Sequence, residues 1–209
     1  MNKILLVLML TIICCNGLTN AGLKLTIEPI ATGYAVDNDY DGTFDSFYGT
    51  PRDDDDDVRV GLLSWGEARG YIEFKVNNIP DSLIEENTCN ILHLDKIYLR
   101  RWWYSGSNLE SKTSVYGYAG DGRADSFDVY KTNSLIKANV GKYELIDVTD
   151  FVTNLMNNNK IYTGFVLAEK RNGIILNYGA FYLNAIYIPE PCTMVLIVSG
   201  LMLIRLHKN

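Results

Sequence analysis

Apolar and polar residues alternate in short runs along most of the chain. The runs are LKLTIEP (23–29), VRVGLL (58–63), YIEFKV (71–76), ILHLDKIYLR (91–100), TSVYGY (113–118), YELIDV (143–148), GFVLAE (164–169), GIILNY (173–178) and AFYLNAIYI (180–188). Each is rich in β-branched and aromatic residues, and Gly, Asn, Asp and Ser fill the gaps, so each predicts a strand. Many short strands between turns predict a mostly β body, an antiparallel, jelly-roll-like β-sandwich. KRNG (170–173) lies between two of the runs and predicts a hairpin, because Asn-Gly accepts the positive φ of a tight turn.

One stretch has a different period. Val148, Phe151, Val152, Leu155 and Met156 fall on a single helical stripe, which predicts one short helix over 148–156. Asp147 or Thr149 can cap its start, and Asn157, Asn158 and Asn159 end it. Such a helix would cover an edge or end of the sandwich. No repeat or linker divides this body.

The two ends break the pattern. Lys3, an apolar run from Ile4 to Cys15, and the small residues around Thr19-Asn20-Ala21 form a secretory signal with its cut after Ala21. Ile12 and Ile13 precede Cys14 and Cys15 where a lipobox needs small residues. At the other end, Cys192 to Ile204 is thirteen residues without a charge, short of the roughly 20 that span a bilayer. A last core element would also be greasy. However, Pro189 and Pro191 break any regular element entering the segment, and Arg205, His207 and Lys208 follow it where the positive-inside rule places basic residues. The expected organisation is a signal peptide (1–21), a β-sandwich domain (22–188), and a tail with a short transmembrane helix (189–209).

Pro189-Glu190-Pro191, the charge-free segment and the basic end together resemble the PEP-CTERM sorting signal of exported bacterial proteins. The resemblance implies recognition and cleavage of the tail by the membrane protease exosortase. It also implies transient inner-membrane anchoring, and then a place at the cell surface or in the extracellular matrix, often beside exopolysaccharide. RGYIEFKVNNIP (69–80), LDKIYLRRWW (94–103) and DVTDFVTNLMNNNKIYTGFVLAE (147–169) resemble the DNRLRE-type domains of bacterial surface proteins, which are β-sandwiches akin to carbohydrate-binding modules. That pattern speaks to fold more than to activity.

Charge narrows the partners. Of 19 Lys and Arg, only Lys3, Arg205 and Lys208 lie in the two ends, and of 25 Asp and Glu only Glu190 does, so the body carries 16 basic against 24 acidic residues, a net charge near −8. Such a surface repels phosphate backbones, which argues against nucleic acid as a partner. Cys89 is the one cysteine left in the body. An exported domain with one cysteine has no internal disulfide and relies on its core.

DNDYDGTFD (37–45) is the most specific local motif. Asp37, Asp39, Asp41, Gly42, the Thr43 carbonyl and Asp45 occupy positions 1, 3, 5, 6, 7 and 9 of a calcium loop, so Ca2+ is the candidate cofactor. Position 12, where an EF-hand has its bidentate Glu, is Tyr48. A plain acidic turn would have similar composition. Asp53 to Asp57 read as a hydrated like-charge run, or as the source of the missing ligand. GDGRADSFD (120–128), with irregular spacing, reads as a loop before it reads as a metal site.

Trp102 and Trp103 are strand neighbours, so they point to opposite faces. An outward Trp helped by Tyr104 is a platform for stacking a sugar ring; edge packing is the plainer reading. Trp65 is expected in the core. Evidence for an enzyme is thin. His93 is the body's one histidine and reads as a satisfied strand residue, zinc would need more His or Cys, no serine has a nucleophile-elbow context, and no carboxylate pair stands out. The sequence therefore points to an exported, non-catalytic surface or matrix protein. The alternatives are a carbohydrate-binding module and a carbohydrate-active enzyme.

Overall fold

The computed structural model describes residues 23–50, 58–64, 66–85, 90–101, 104–106, 112–123, 125–141, 144–169, 174–178 and 181–189. The signal segment, the tail beyond Pro189, Asp53–Asp57, Trp65, Cys89, Trp102 and Trp103 lie outside these. The described residues are mostly β, in two antiparallel sheets with one α-helix.

The five-stranded sheet holds β1 (Leu23–Ile27), β6 (Ser82–Glu85), β7 (Asn90–Arg101), β11 (Ile146–Asp147) and β14 (Phe181–Pro189), in the order β1-β14-β7-β11. β6 pairs with the first residues of β7. The nine-stranded sheet holds β2 (Pro29–Asp37), β3 (Ser46–Thr50), β4 (Val58–Leu63), β5 (Gly66–Lys75), β8 (Tyr104–Gly106), β9 (Ser114–Gly120), β10 (Leu135–Lys137), β12 (Tyr162–Ala168) and β13 (Ile174–Tyr178). Its order is β10-β9-β12-β5-β4-β13-β8, with β2 on β5 and β3 on β2. The predicted hairpin at 170–173 does not form a strand pair. β12 lies between β5 and β9, and β13 lies between β4 and β8. Residues 170–173 themselves lie outside the described residues.

Although no linker is visible in the sequence, the described residues fall into two compact units, the smaller holding 23–25, 80–85, 90–95 and 186–189, the larger holding the described residues of 26–79 and 96–185. In the smaller unit the Tyr187 hydroxyl donates to the Pro80 carbonyl at 2.9 Å, and the Leu94 N–H donates to the Asp81 carbonyl at 3.0 Å.

In the larger unit β5 is the central strand. Its first residues pair with β4 (Gly61 with Ala68, Leu63 with Gly66), its later residues, Arg69 to Lys75, pair with β12, and β2 runs along its other edge. From Gly70 to Phe74 β5 is buried on both faces, and Tyr71, Ile72, Glu73 and Phe74 are fully buried. Residues paired across strands share a face. Ile72, Phe165 and Gly117 form a row on one face. The helix, α1 (Thr149–Asn157), lies on that face: Phe151 packs against Phe165, with ring centroids 6.0 Å apart, and fills the space over Gly117. Val152 and Leu155 are its buried positions, as the stripe predicts. Its start is fixed by Thr149, whose Oγ1 accepts the Ile97 N–H at 2.9 Å and donates to Asp147 Oδ1 at 2.6 Å. That hydroxyl bond, outweighing the cost of burial, holds the Asp147 carboxyl down at about 2.

Ala31, Glu73, Gly164 and Tyr118 form a row on the opposite face. A 3-10 turn, Asp128–Tyr130, sits over this side and contributes the buried Val129, which clusters with Ala31, Ala35, Tyr71, Phe44 and Phe47. β2 was not among the sequence-predicted strands because Gly33 interrupts its alternation. Gly33 and Gly49 are directly paired across β2 and β3, and together they leave room for Tyr71, whose hydroxyl donates to the Thr32 carbonyl at 3.1 Å.

Candidate functional site

The loop after β2 is built by its own carboxylates. Asp37 Oδ1 accepts the N–H groups of Asp39 (3.3 Å) and Tyr40 (2.8 Å), and Oδ2 accepts that of Gly42 (3.0 Å). Asp39 accepts from Asp41, Asp41 from Thr43, and Asp45 from Asn38. Asp residues favour such bonds to N–H groups a few positions on. Tyr40 and Gly42 take the positive φ values, 63° and 88°, that curl the chain, and the Asp45 N–H closes the loop on the Val36 carbonyl at 2.9 Å.

The loop gathers carboxylate oxygens of Asp37, Asp39 and Asp45 within 4.8 Å of one another. These are three of the four predicted carboxylates. The fourth, Asp41, is outside that cluster, and its Oδ1 takes the Thr43 N–H at 2.6 Å. Three converging hard oxygens suit a hard cation such as Ca2+, which takes six to eight oxygens, although Asp37 Oδ1 already accepts two N–H groups and Oδ2 one. Tyr48, at the twelfth position, is no ligand: its half-exposed ring stacks on Tyr34 with centroids 4.7 Å apart.

A second acidic group lies on the same side of the nine-stranded sheet. Glu73 is wholly buried at the middle of β5. Its Oε2 accepts the Gly122 N–H at 2.8 Å, while its Oε1 and the Tyr118 hydroxyl have no aligned hydrogen-bond partner. The Tyr118 ring lies across Gly164 to reach this place, and a Cβ at Gly120 would stand 2.7 Å from Glu73 Oε1. Burial, then the charge of Asp128, pushes the Glu73 carboxyl up to about 7. Burial, then the charge of Glu73, pushes the Tyr118 hydroxyl up as well. Asp128, also fully buried, pairs with Lys131 at 2.8 Å; burial nonetheless raises its pKa. Burial would lower the Lys131 ammonium, but the bond to Asp128 and the charges of Asp128, Asp125 and Glu73 together outweigh it and raise the pKa. The Lys131 ammonium stands 4.7 Å over the Tyr118 ring.

The two acidic loops touch. The Phe44 N–H donates to the Tyr130 hydroxyl at 2.8 Å, the two rings meet edge to face at 5.2 Å, and Arg69 lies over Phe44 while reaching the Val129 carbonyl at 3.4 Å. The 120–128 segment thus covers Glu73, a role its spacing did not reveal. The signal was a Glu inside YIEFKV, a run otherwise fit for burial on both faces.

Among the other predicted site residues, Tyr104 begins β8, His93 is an exposed residue of β7 opposite Ser82, and Pro189 is the last residue of β14. Glu190, Pro191, Trp102 and Trp103 lie outside the described residues. Among the described residues no helix is long and apolar enough to cross a membrane. No protein-family model matches this chain, and no curated protein is similar enough in sequence to indicate common descent.

Proposed function

We propose that this chain is an exported, non-catalytic surface or extracellular-matrix protein, sorted through the tail 189–209 by an exosortase and then placed beside extracellular polysaccharide. The observation that carries the reading is the position of the tripeptide: the described residues end with β14 at Pro189, the first residue of the Pro-Glu-Pro tripeptide, so a cut beyond it removes none of the described strands. In this reading the two antiparallel sheets belong to a jelly-roll-like sandwich, and Asp37, Asp39 and Asp45 hold a structural Ca2+ with the Thr43 carbonyl. A general acid must touch its substrate; among the described residues the carboxyls Glu73 and Asp128, whose pKa values are raised, are both fully buried, which fits a structural role for this pair.

Mass spectrometry of the exported protein tests the sorting. Peptides should end before Cys192, and recovery of an intact Lys208 end from exported material overturns the reading.

Carbohydrate binding is the second reading, favoured by one observation: Tyr48, 52% exposed, stacks on Tyr34, which carries the Arg59 guanidinium 4.9 Å from its centroid. An exposed tyrosine face of this kind can receive a sugar ring. Loss of glycan-array signal in Tyr48→Ala would support it; an array blank for the unaltered protein would remove it.

A further inference from the structure

Four large apolar side chains of the smaller unit stand in solvent among the described residues: Leu23 (47% exposed), Ile84 (72%), Ile91 (48%) and Ile188 (36%). Ile84 and Ile91 are directly paired across β6 and β7, so their side chains share one face. Ile188 lies one residue before the end of β14, beside Tyr187, whose side chain points to the opposite face and whose hydroxyl is bonded to the Pro80 carbonyl. A single exposed isoleucine is ordinary, whereas grouped ones mark a contact surface.

The chain beyond β14 says what the contact is. Cys192, the first residue of the charge-free segment, comes four residues after Ile188. An extended chain covers at most about 3.5 Å per residue, so Ile188 stays within about 14 Å of the point where that segment begins. Pro189 and Pro191 stiffen the connection further. With the segment in a bilayer, this end of β14 is held at the lipid surface, and the β6–β7 pair belongs to the same compact unit.

We propose that Ile84, Ile91 and Ile188 form a lipid-facing patch that lies on the bilayer while the tail is inserted. The patch rests on the reading of 189–209 as a membrane tail. Branched aliphatic side chains suit the acyl boundary of a bilayer, where apolar side chains settle a few ångströms below the headgroups. The patch would fix the orientation of the protein at the membrane and so present the Pro189–Pro191 stretch at a constant height.

The test uses the full chain in phosphatidylcholine vesicles doped with a photoactivatable, carbene-generating phosphatidylcholine, with labelled positions mapped by peptide mass spectrometry. The expected result is label in 192–204 and in peptides carrying Ile84, Ile91 and Ile188, with helix Thr149–Asn157 at background. The double variant Ile84→Lys, Ile91→Lys, made at exposed positions, should lose label in 82–93 while labelling of 192–204 is unchanged. A milder pair, Ile84→Ser and Ile91→Ser, repeats the measurement if the lysines disturb folding. Label in 192–204 with 82–93 at the helix background overturns the patch and leaves the tail reading standing. Absence of label in 192–204 overturns the tail reading, and the patch with it.

Discussion

Glu73→Gln is the sharpest test of the buried acidic group. The wild-type carboxyl has a pKa of about 7 in the folded protein, against 4.5 unperturbed. A raised folded pKa means that the folded state holds a proton which the unfolded state has already released. The stability from that proton is fully present below about pH 4.5 and is lost as pH rises through about 7. A shift of about 2.5 units at 1.36 kcal/mol each corresponds to about 3 kcal/mol, and the full burial of Glu73 leaves solvent little part in screening it. Glutamine keeps the shape of the side chain and cannot ionise. The difference in unfolding free energy between Glu73→Gln and wild type should therefore grow by about 3 kcal/mol in favour of the variant between pH 4.5 and pH 8. In a domain of this size that is a relative change in Tm of roughly 6–12 °C. Asp128, whose raised pKa acts in the same direction, is coupled to Glu73 by charge, so the difference reads the Glu73 titration together with that coupling. Urea unfolding followed by tryptophan fluorescence at pH 4.5, 6 and 8 supplies the numbers. A variant-minus-wild-type difference that stays constant across that range would falsify the assignment of the titration to Glu73.

Two further outcomes are expected. Calcium should raise the Tm of the protein and chelator should lower it, and Asp39→Asn with Asp45→Asn should abolish most of that response by removing two of the three converging carboxylates; no heat in isothermal titration at millimolar calcium, the range of weak extracellular modules, reduces the loop to an acidic turn. Gly164→Ala should destabilise the protein by about 1–3 kcal/mol, the usual cost of overpacking, because the new methyl group would overlap the Tyr118 ring; an unchanged urea midpoint would show that Tyr118 does not lie across β12.

The sequence by itself determined the class of fold and the extent of its plainest elements. Short runs of β-branched and aromatic residues bounded by turn residues located β4, β7, β12, β13 and β14; β12 was found by its apolar run, since it is buried on both faces. The helix was legible to within a residue at each end, since Val152 and Leu155 need the same buried stripe. The acidic loop could also be read, because Asp residues two apart, followed by Gly42, make their own bonds to the backbone. All of these are local: the residues that cause the structure lie within a few positions of one another.

Tertiary structure decided what depends on distant partners. β2 and β3 are strands whose paired glycines, Gly33 and Gly49, make sense only once Tyr71 from β5 fills the space between them. The turn residues at 172–173 promised a hairpin, but β5 and β9 claimed β12 while β4 and β8 claimed β13. Asp41 follows the calcium spacing, yet its carboxylate serves the Thr43 N–H instead of the cluster. Glu73 is the plainest case. In sequence it is one charge in an alternating run, and it becomes a buried acid only when β2 and β12 enclose β5 and the segment from Gly120 to Lys131 closes over it. Its pKa is a property of that enclosure, because desolvation and the nearness of Asp128 arise from chain segments about fifty residues away.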